Sequence, residues 1–88
     1  MKIKNIYYSS KFSKNFKRLP RSLEKQIKGR FEIFCRDPFD PCLKTHKLRG
    51  KLENYWSFSV SETHRVMFEF LGKREVGLID IGDHSIYQ

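Results

Sequence analysis

The sequence predicts an α+β domain: an N-terminal strand, a two-helix hairpin, then an antiparallel sheet of three or more strands with the helices packed on one face. Three observations carry this. Apolar residues recur at helical spacing from Phe12 to Phe34, and from Trp56 onward they alternate with polar ones. Gly50, Gly72 and Gly82 then punctuate the second half into short segments. With 88 residues the chain forms one domain, 1–88, around a single small core.

Each element has a local reason. Ile3 to Tyr8 is short, β-branched and aromatic, and reads as a strand leading into Ser9-Ser10, which can cap a helix. Phe12, Phe16 and Leu19 share one helical face, with Lys11, Lys14, Lys17 and Arg18 around the rest. Pro20 ends that helix and can open the next, whose stripe is Leu23, Ile27, Phe31 and Phe34, stopping before Asp37-Pro38. Trp56, Phe58 and Val60 alternate with Ser57, Ser59 and Ser61, and Val66, Phe68 and Phe70 alternate with Arg65, Met67 and Glu69. Ser61-Glu62-Thr63 and Leu71-Gly72-Lys73-Arg74 read as hairpin connections, and Val76 to Ile81 as a further apolar run. The helices should cover one sheet face, leaving Arg65, Met67 and Glu69 on the other.

Composition narrows the function. The net charge is +8, yet 39% of residues are apolar and 15% aromatic, which excludes a chain kept disordered by its charge. The charge is concentrated: Met1 to Arg36 holds eleven Lys or Arg against two Glu, a net +9, and the remainder is −1. Such a half attracts a polyanion, RNA or DNA before a membrane surface. No run approaches the roughly 20 apolar residues of a membrane span, and the N-terminus lacks a signal-peptide pattern, so a cytoplasmic location is expected. Cys35 and Cys42 do not have zinc-ribbon spacing, and phosphate-binding loops and nucleophile elbows are absent, so neither metal nor cofactor is expected.

Three segments could carry chemistry. Lys44-Thr45-His46-Lys47-Leu48-Arg49-Gly50 crowds cationic and titratable groups, and strand alternation would point Lys44, His46 and Leu48 one way and Lys47 and Arg49 the other. Arg65 sits inside an otherwise apolar strand, Val66-Met67-Phe68, next to His64. Gly82-Asp83-His84-Ser85-Ile86-Tyr87 sets a histidine just past the last strand. The set suits metal-free cleavage of RNA by its own 2′-hydroxyl, which needs a base, an acid and a permanent cation for the charge building on phosphorus.

The element order, with His46-Lys47-Leu48-Arg49-Gly50, Trp56-Ser57-Phe58, His64-Arg65-Val66-Met67-Phe68 and Gly82-Asp83-His84-Ser85-Ile86-Tyr87, resembles the RelE/ParE toxin superfamily over nearly the whole chain. It looks most like the YoeB and YafQ branches, whose members are ribosome-dependent mRNA endonucleases (mRNA interferases) neutralised by an antitoxin. The resemblance implies the toxin of a type II toxin-antitoxin system. In it His84 is the C-terminal proton-transfer residue, Arg65 the cation on the scissile phosphate, and His46 an active-site histidine. Lys44, Lys47 and Arg49 match the family's phosphate-gripping lysines loosely, and Tyr87 falls near a terminal Tyr that packs on a base. The catalytic Glu of YoeB-like members would fall near Cys42, leaving His46, Asp83 or Glu69 as base. The implied partners are an antitoxin, ribosomal RNA and mRNA. Two alternatives remain, a ParE-like DNA gyrase inhibitor on the same fold and a non-catalytic RNA- or DNA-binding module.

Overall fold

In the computed structural model, which describes residues 1–87, the first strand is β1 (Asn5–Tyr8). It is shorter than the sequence pattern suggests, because Ile3 leaves the ladder: its amide donates to the Cys35 carbonyl at 2.8 Å and its side chain enters the core. Helix α1 (Ser10–Lys17) starts where Ser9 accepts a hydrogen bond from the Phe12 amide at 3.0 Å. It stops before Pro20, which precedes a 3-10 turn, Arg21–Leu23, that leads into α2 (Glu24–Arg36).

The second half contributes β2 (His46–Lys47), β3 (Trp56–Ser59), β4 (Arg65–Gly72) and β5 (Glu75–Gly82), with 3-10 turns at Pro41–Leu43, Gly50–Leu52 and His84–Tyr87. The five strands lie in the order β1-β5-β4-β3-β2. β2 to β5 pair antiparallel as expected, whereas β1 runs parallel to β5, Ile6 opposite Val76, with the helices forming part of the long connection between them. That pairing joins segments 70 residues apart and has no local signature in the sequence.

Phe12 of α1 and Ile27 and Phe34 of α2 pack with Phe58, Val66, Phe68, Val76, Leu78 and Ile81 in the core, while Phe16 of the expected α1 stripe stays exposed. Phe34 is the centre. Its ring stacks on Phe58 at 4.2 Å and meets the edge of Phe68 at 5.0 Å, with no exposed surface. The far face of the sheet carries no α-helix, and Ser57, Arg65 and Met67 point to it, with Ser57 and Met67 buried there.

β5 departs from simple alternation. Met67 pairs with Asp80 and Phe68 with Leu78, so Ile79 is an extra, bulged residue. The bulge lets Leu78 and Ile81, three apart, both enter the core, and it leaves Asp80 buried at 2% exposure within an otherwise apolar run. Asp80 accepts from Asn15 at 2.6 Å and from the Ile81 amide at 2.8 Å, and Lys11 lies 3.4 Å away. It thus ties α1 to the end of the sheet. Asp80→Ala leaves Asn15 and the Ile81 amide without their acceptor and should lower stability by about 1–3 kcal/mol in urea unfolding. A loss within a few tenths would show that the tie is replaced by water.

Candidate active site

The helix-free face gathers most of the candidate residues because strand pairing aligns them. His46 pairs with Ser57 and Ser57 with Met67, so these three form one row across β2, β3 and β4. Arg65 pairs with Ser59 and with Gly82 in the next row. His84 and Tyr87 belong to the 3-10 turn that follows β5, and the Tyr87 hydroxyl is hydrogen-bonded to the Ser57 hydroxyl. His46 and Arg65, two strands apart and in adjacent rows, are separated laterally by roughly 10 Å.

The segment leading into β2 is held from behind. Arg30 of α2 donates to the Cys42 carbonyl at 2.6 Å, and Asp40 caps the 3-10 turn through the Cys42 amide at 3.0 Å. Lys44 then adopts a left-handed conformation, φ 53°, and its carbonyl meets Nδ1 of His46 at 3.0 Å. A carbonyl can only accept, so Nδ1 carries the proton, and in the neutral ring the exposed Nε2 presents its lone pair. That is the form a general base needs.

This kink corrects the expected alternation. Lys44 belongs to the turn rather than to a strand, and only His46 and Lys47 join the ladder. Lys47 pairs with Trp56, whose ring packs on the helix side with Phe39 and Phe70, so Lys47 projects to the face opposite His46. Arg49 is exposed just before the Gly50–Leu52 turn. Lys47 thus faces away from His46 as the alternation predicts, whereas Lys44 leaves the strand.

Arg65 is half-buried, and among the described residues its hydrogen bonds come from Nη1, to the carbonyls of Ser61, Glu62 and His64 at 2.9, 3.3 and 3.0 Å. The β3–β4 connection thus anchors one nitrogen of a guanidinium that has five N–H donors. Such anchoring fixes the position of a permanent charge. Ser57 joins this face without a distinctive sequence signature, being one more polar residue in an alternating strand. Its signal was slight: three serines at every second position, all buried here.

His84 is exposed, with its ring edge-on to Tyr87 at 5.8 Å. The turn that bears it is capped by Asp83, which accepts from the Ser85 amide at 2.9 Å. Hydrogen bonds from the Ser85 side chain and amide, helped by the nearby His64 and His84, hold the Asp83 carboxyl below the usual aspartate range. A depressed folded-state value means that the cap is complete above the unfolded-chain value and is lost as pH falls through the lower folded one. The amides of residues 84–87 should therefore stay ordered from neutrality down to about pH 4 and loosen only in stronger acid. Asp83→Asn, which caps without titrating, should remove that dependence in an NMR pH series; an unchanged acid transition would assign it elsewhere.

One further surface lies on the opposite, helix-bearing side of the sheet. Between α1 and α2 runs an open apolar groove of about 450 Å³ with Tyr8, Phe12, Phe16, Ile27 and Phe31 along it and Lys17, Lys28 and Glu24 among its charged lining. Phe16 is 41% exposed there. The two thiols are unsuited to reaction: burial pushes Cys35 up, and the Asp40 hydrogen bond does the same for Cys42. Among the described residues no group of three or more His, Cys, Asp and Glu could hold a metal ion, and no helix is long and apolar enough to cross a membrane.

No protein-family model matches the chain. It is 35% identical over 49 residues to Toxin YoeB of Streptomyces coelicolor, and the match spans 56% of this chain and 58% of that protein. Solved structures share the fold over almost the full length. A YoeB/ParE toxin from Agrobacterium tumefaciens superposes with a TM-score of 0.74 at 18% identity, covering 92% of this chain and 99% of that one. A chain of the DinJ-YafQ toxin-antitoxin complex of E. coli gives 0.74 at 18%, covering 98% and 97%. The toxin-antitoxin complex RelBE2 of Mycobacterium tuberculosis gives 0.74 at 17%, covering 97% and 95%. The α+β fold expected from the sequence is the fold of these toxins.

Proposed function

We propose that this chain is the toxin of a type II toxin-antitoxin system and an mRNA interferase that cleaves mRNA on the ribosome without a metal. The observation that carries the reading is the convergence of His46, Arg65 and the His84 turn on the helix-free sheet face. The identity to Toxin YoeB and the shared toxin fold support it.

In this mechanism Nε2 of His46 takes the proton from the ribose 2′-hydroxyl, whose oxygen attacks the adjacent phosphorus. Arg65 stabilises the charge that develops on the phosphoryl oxygens. His84 gives a proton to the departing 5′-oxygen, leaving a 2′,3′-cyclic phosphate and a 5′-hydroxyl. Tyr87 offers a ring for a base to stack on. Lys44, Lys47 and Arg49 hold phosphates around the sheet edge, and the basic helices rest on ribosomal RNA.

The antitoxin would occupy the groove between the helices. Its apolar floor and lysine margin suit an amphipathic segment with acidic flanks. A cytoplasmic location follows from a ribosomal target.

The test is to add the purified protein to ribosomes translating a defined mRNA, without added metal beyond what the ribosomes require, and to map both new ends. Cuts within the translated frame that bear cyclic phosphates are expected. Intact mRNA together with stalled gyrase–DNA breaks would favour the gyrase-directed alternative, and tight binding to RNA without either would favour a plain binding module.

A further inference from the structure

We propose that Ser57 is a positioning residue: its hydrogen bond to the Tyr87 hydroxyl pins the His84–Tyr87 turn to the middle of the sheet, and so fixes His84 relative to Arg65 and His46. The inference rests on the endonuclease reading above.

The turn needs such a tether. Its internal bonds, Ser85 amide to the Asp83 carboxylate and Ile86 amide to the Asp83 carbonyl at 3.2 Å, set its shape but do not attach it to the sheet. One attachment is apolar and lies at the strand's own end. Gly82 lacks a side chain where Ile86 approaches, since a Cβ there would come within 2.6 Å of the Ile86 methyl. A single contact of this kind leaves the far end of the turn free to swing.

Tyr87 supplies the second attachment, 30 residues away in sequence, on a strand at the other side of β4. Ser57 is fully buried, so its hydroxyl would be costly to leave without a partner. The same residue is the backbone partner of His46. One side chain therefore joins the strand next to the proposed base with the turn that bears the proposed acid. His84, whose ring lies against Tyr87, moves with that ring.

Three variants test this: Ser57→Ala, Tyr87→Phe and the two combined. Tyr87→Phe keeps the ring for stacking and removes only the hydroxyl. Single-turnover cleavage on programmed ribosomes should fall by about 10- to 100-fold in each single variant, the range for a proton-transfer group displaced by around 1 Å. The KM for the programmed ribosome should stay unchanged. The double variant should be no worse than either single one, because both substitutions remove the same bond. The backbone amides of residues 84–87 should lose order in ¹⁵N heteronuclear NOE measurements, a readout independent of catalysis.

Losses that multiply in the double variant, or a turn that stays ordered in both single variants, would overturn the tether. So would wild-type cleavage by Ser57→Ala alongside an inactive His84→Ala. Wild-type cleavage by His84→Ala would instead overturn the endonuclease assignment of that histidine, and the positioning role with it.

Discussion

His84→Ala should abolish the proposed mRNA cleavage while leaving the fold and the groove between α1 and α2 unchanged. A positioned proton-transfer group contributes about 10²- to 10⁴-fold, so the single-turnover rate should drop into that range below wild type. The substitution is structurally mild. His84 is exposed and lies past the last strand, so the stability change should fall within about 0.5 kcal/mol. The groove between α1 and α2 lies on the opposite side of the sheet, which keeps partner binding as an internal control. Cells induced to make the variant should continue to grow. Cleavage at the wild-type rate would remove His84 from the reaction.

Phe34→Ala should have the opposite profile, destroying the fold without touching the site. A fully buried phenylalanine costs about 3–5 kcal/mol when cut to alanine, and Phe34 contacts Phe58 and Phe68, rings from two strands. A domain of this length has a total stability of about 4–13 kcal/mol. The loss therefore takes a large share of it, and urea unfolding should show a much lower midpoint or no cooperative transition. Phe34→Leu, which keeps most of the volume, should retain a cooperative transition. Near-normal stability in Phe34→Ala would show that the core repacks around the missing ring.

The helices were legible because their stripes are local. Phe12 and Phe16, then Ile27, Phe31 and Phe34, recur at spacings that need no knowledge of the rest of the chain. The strands at Trp56–Ser59 and Arg65–Gly72 were legible for the same reason, and so was the face that Arg65 shares with Met67. The parallel pairing of β1 with β5 was not, since it depends on a partner 70 residues away. Asp80 was hidden because a bulge, not alternation, governs its strand there, and its partners Asn15 and Lys11 sit on a distant helix.

The candidate site was legible only in part. His46, Arg65 and His84 were nameable as residue types, and the opposite facing of His46 and Lys47 follows from alternation, but the left-handed turn that takes Lys44 out of the strand is set by the capping of Pro41–Leu43. Ser57 was invisible because hydroxyls gain meaning from partners, and Tyr87 is its partner only in the folded chain.

The pairing of β1 with β5 also governs when the sheet, and with it the proposed site, is complete during synthesis. β5 lies between the first strand and β4, so the sheet is two disconnected pieces until residues 75–82 have been synthesised, and the His84 turn comes after them. Contacts of such long sequence separation form late and slowly. A nascent chain therefore has both helices in place before the sheet can close, and the face that carries His46, Arg65 and the His84 turn is assembled only in the last step of folding.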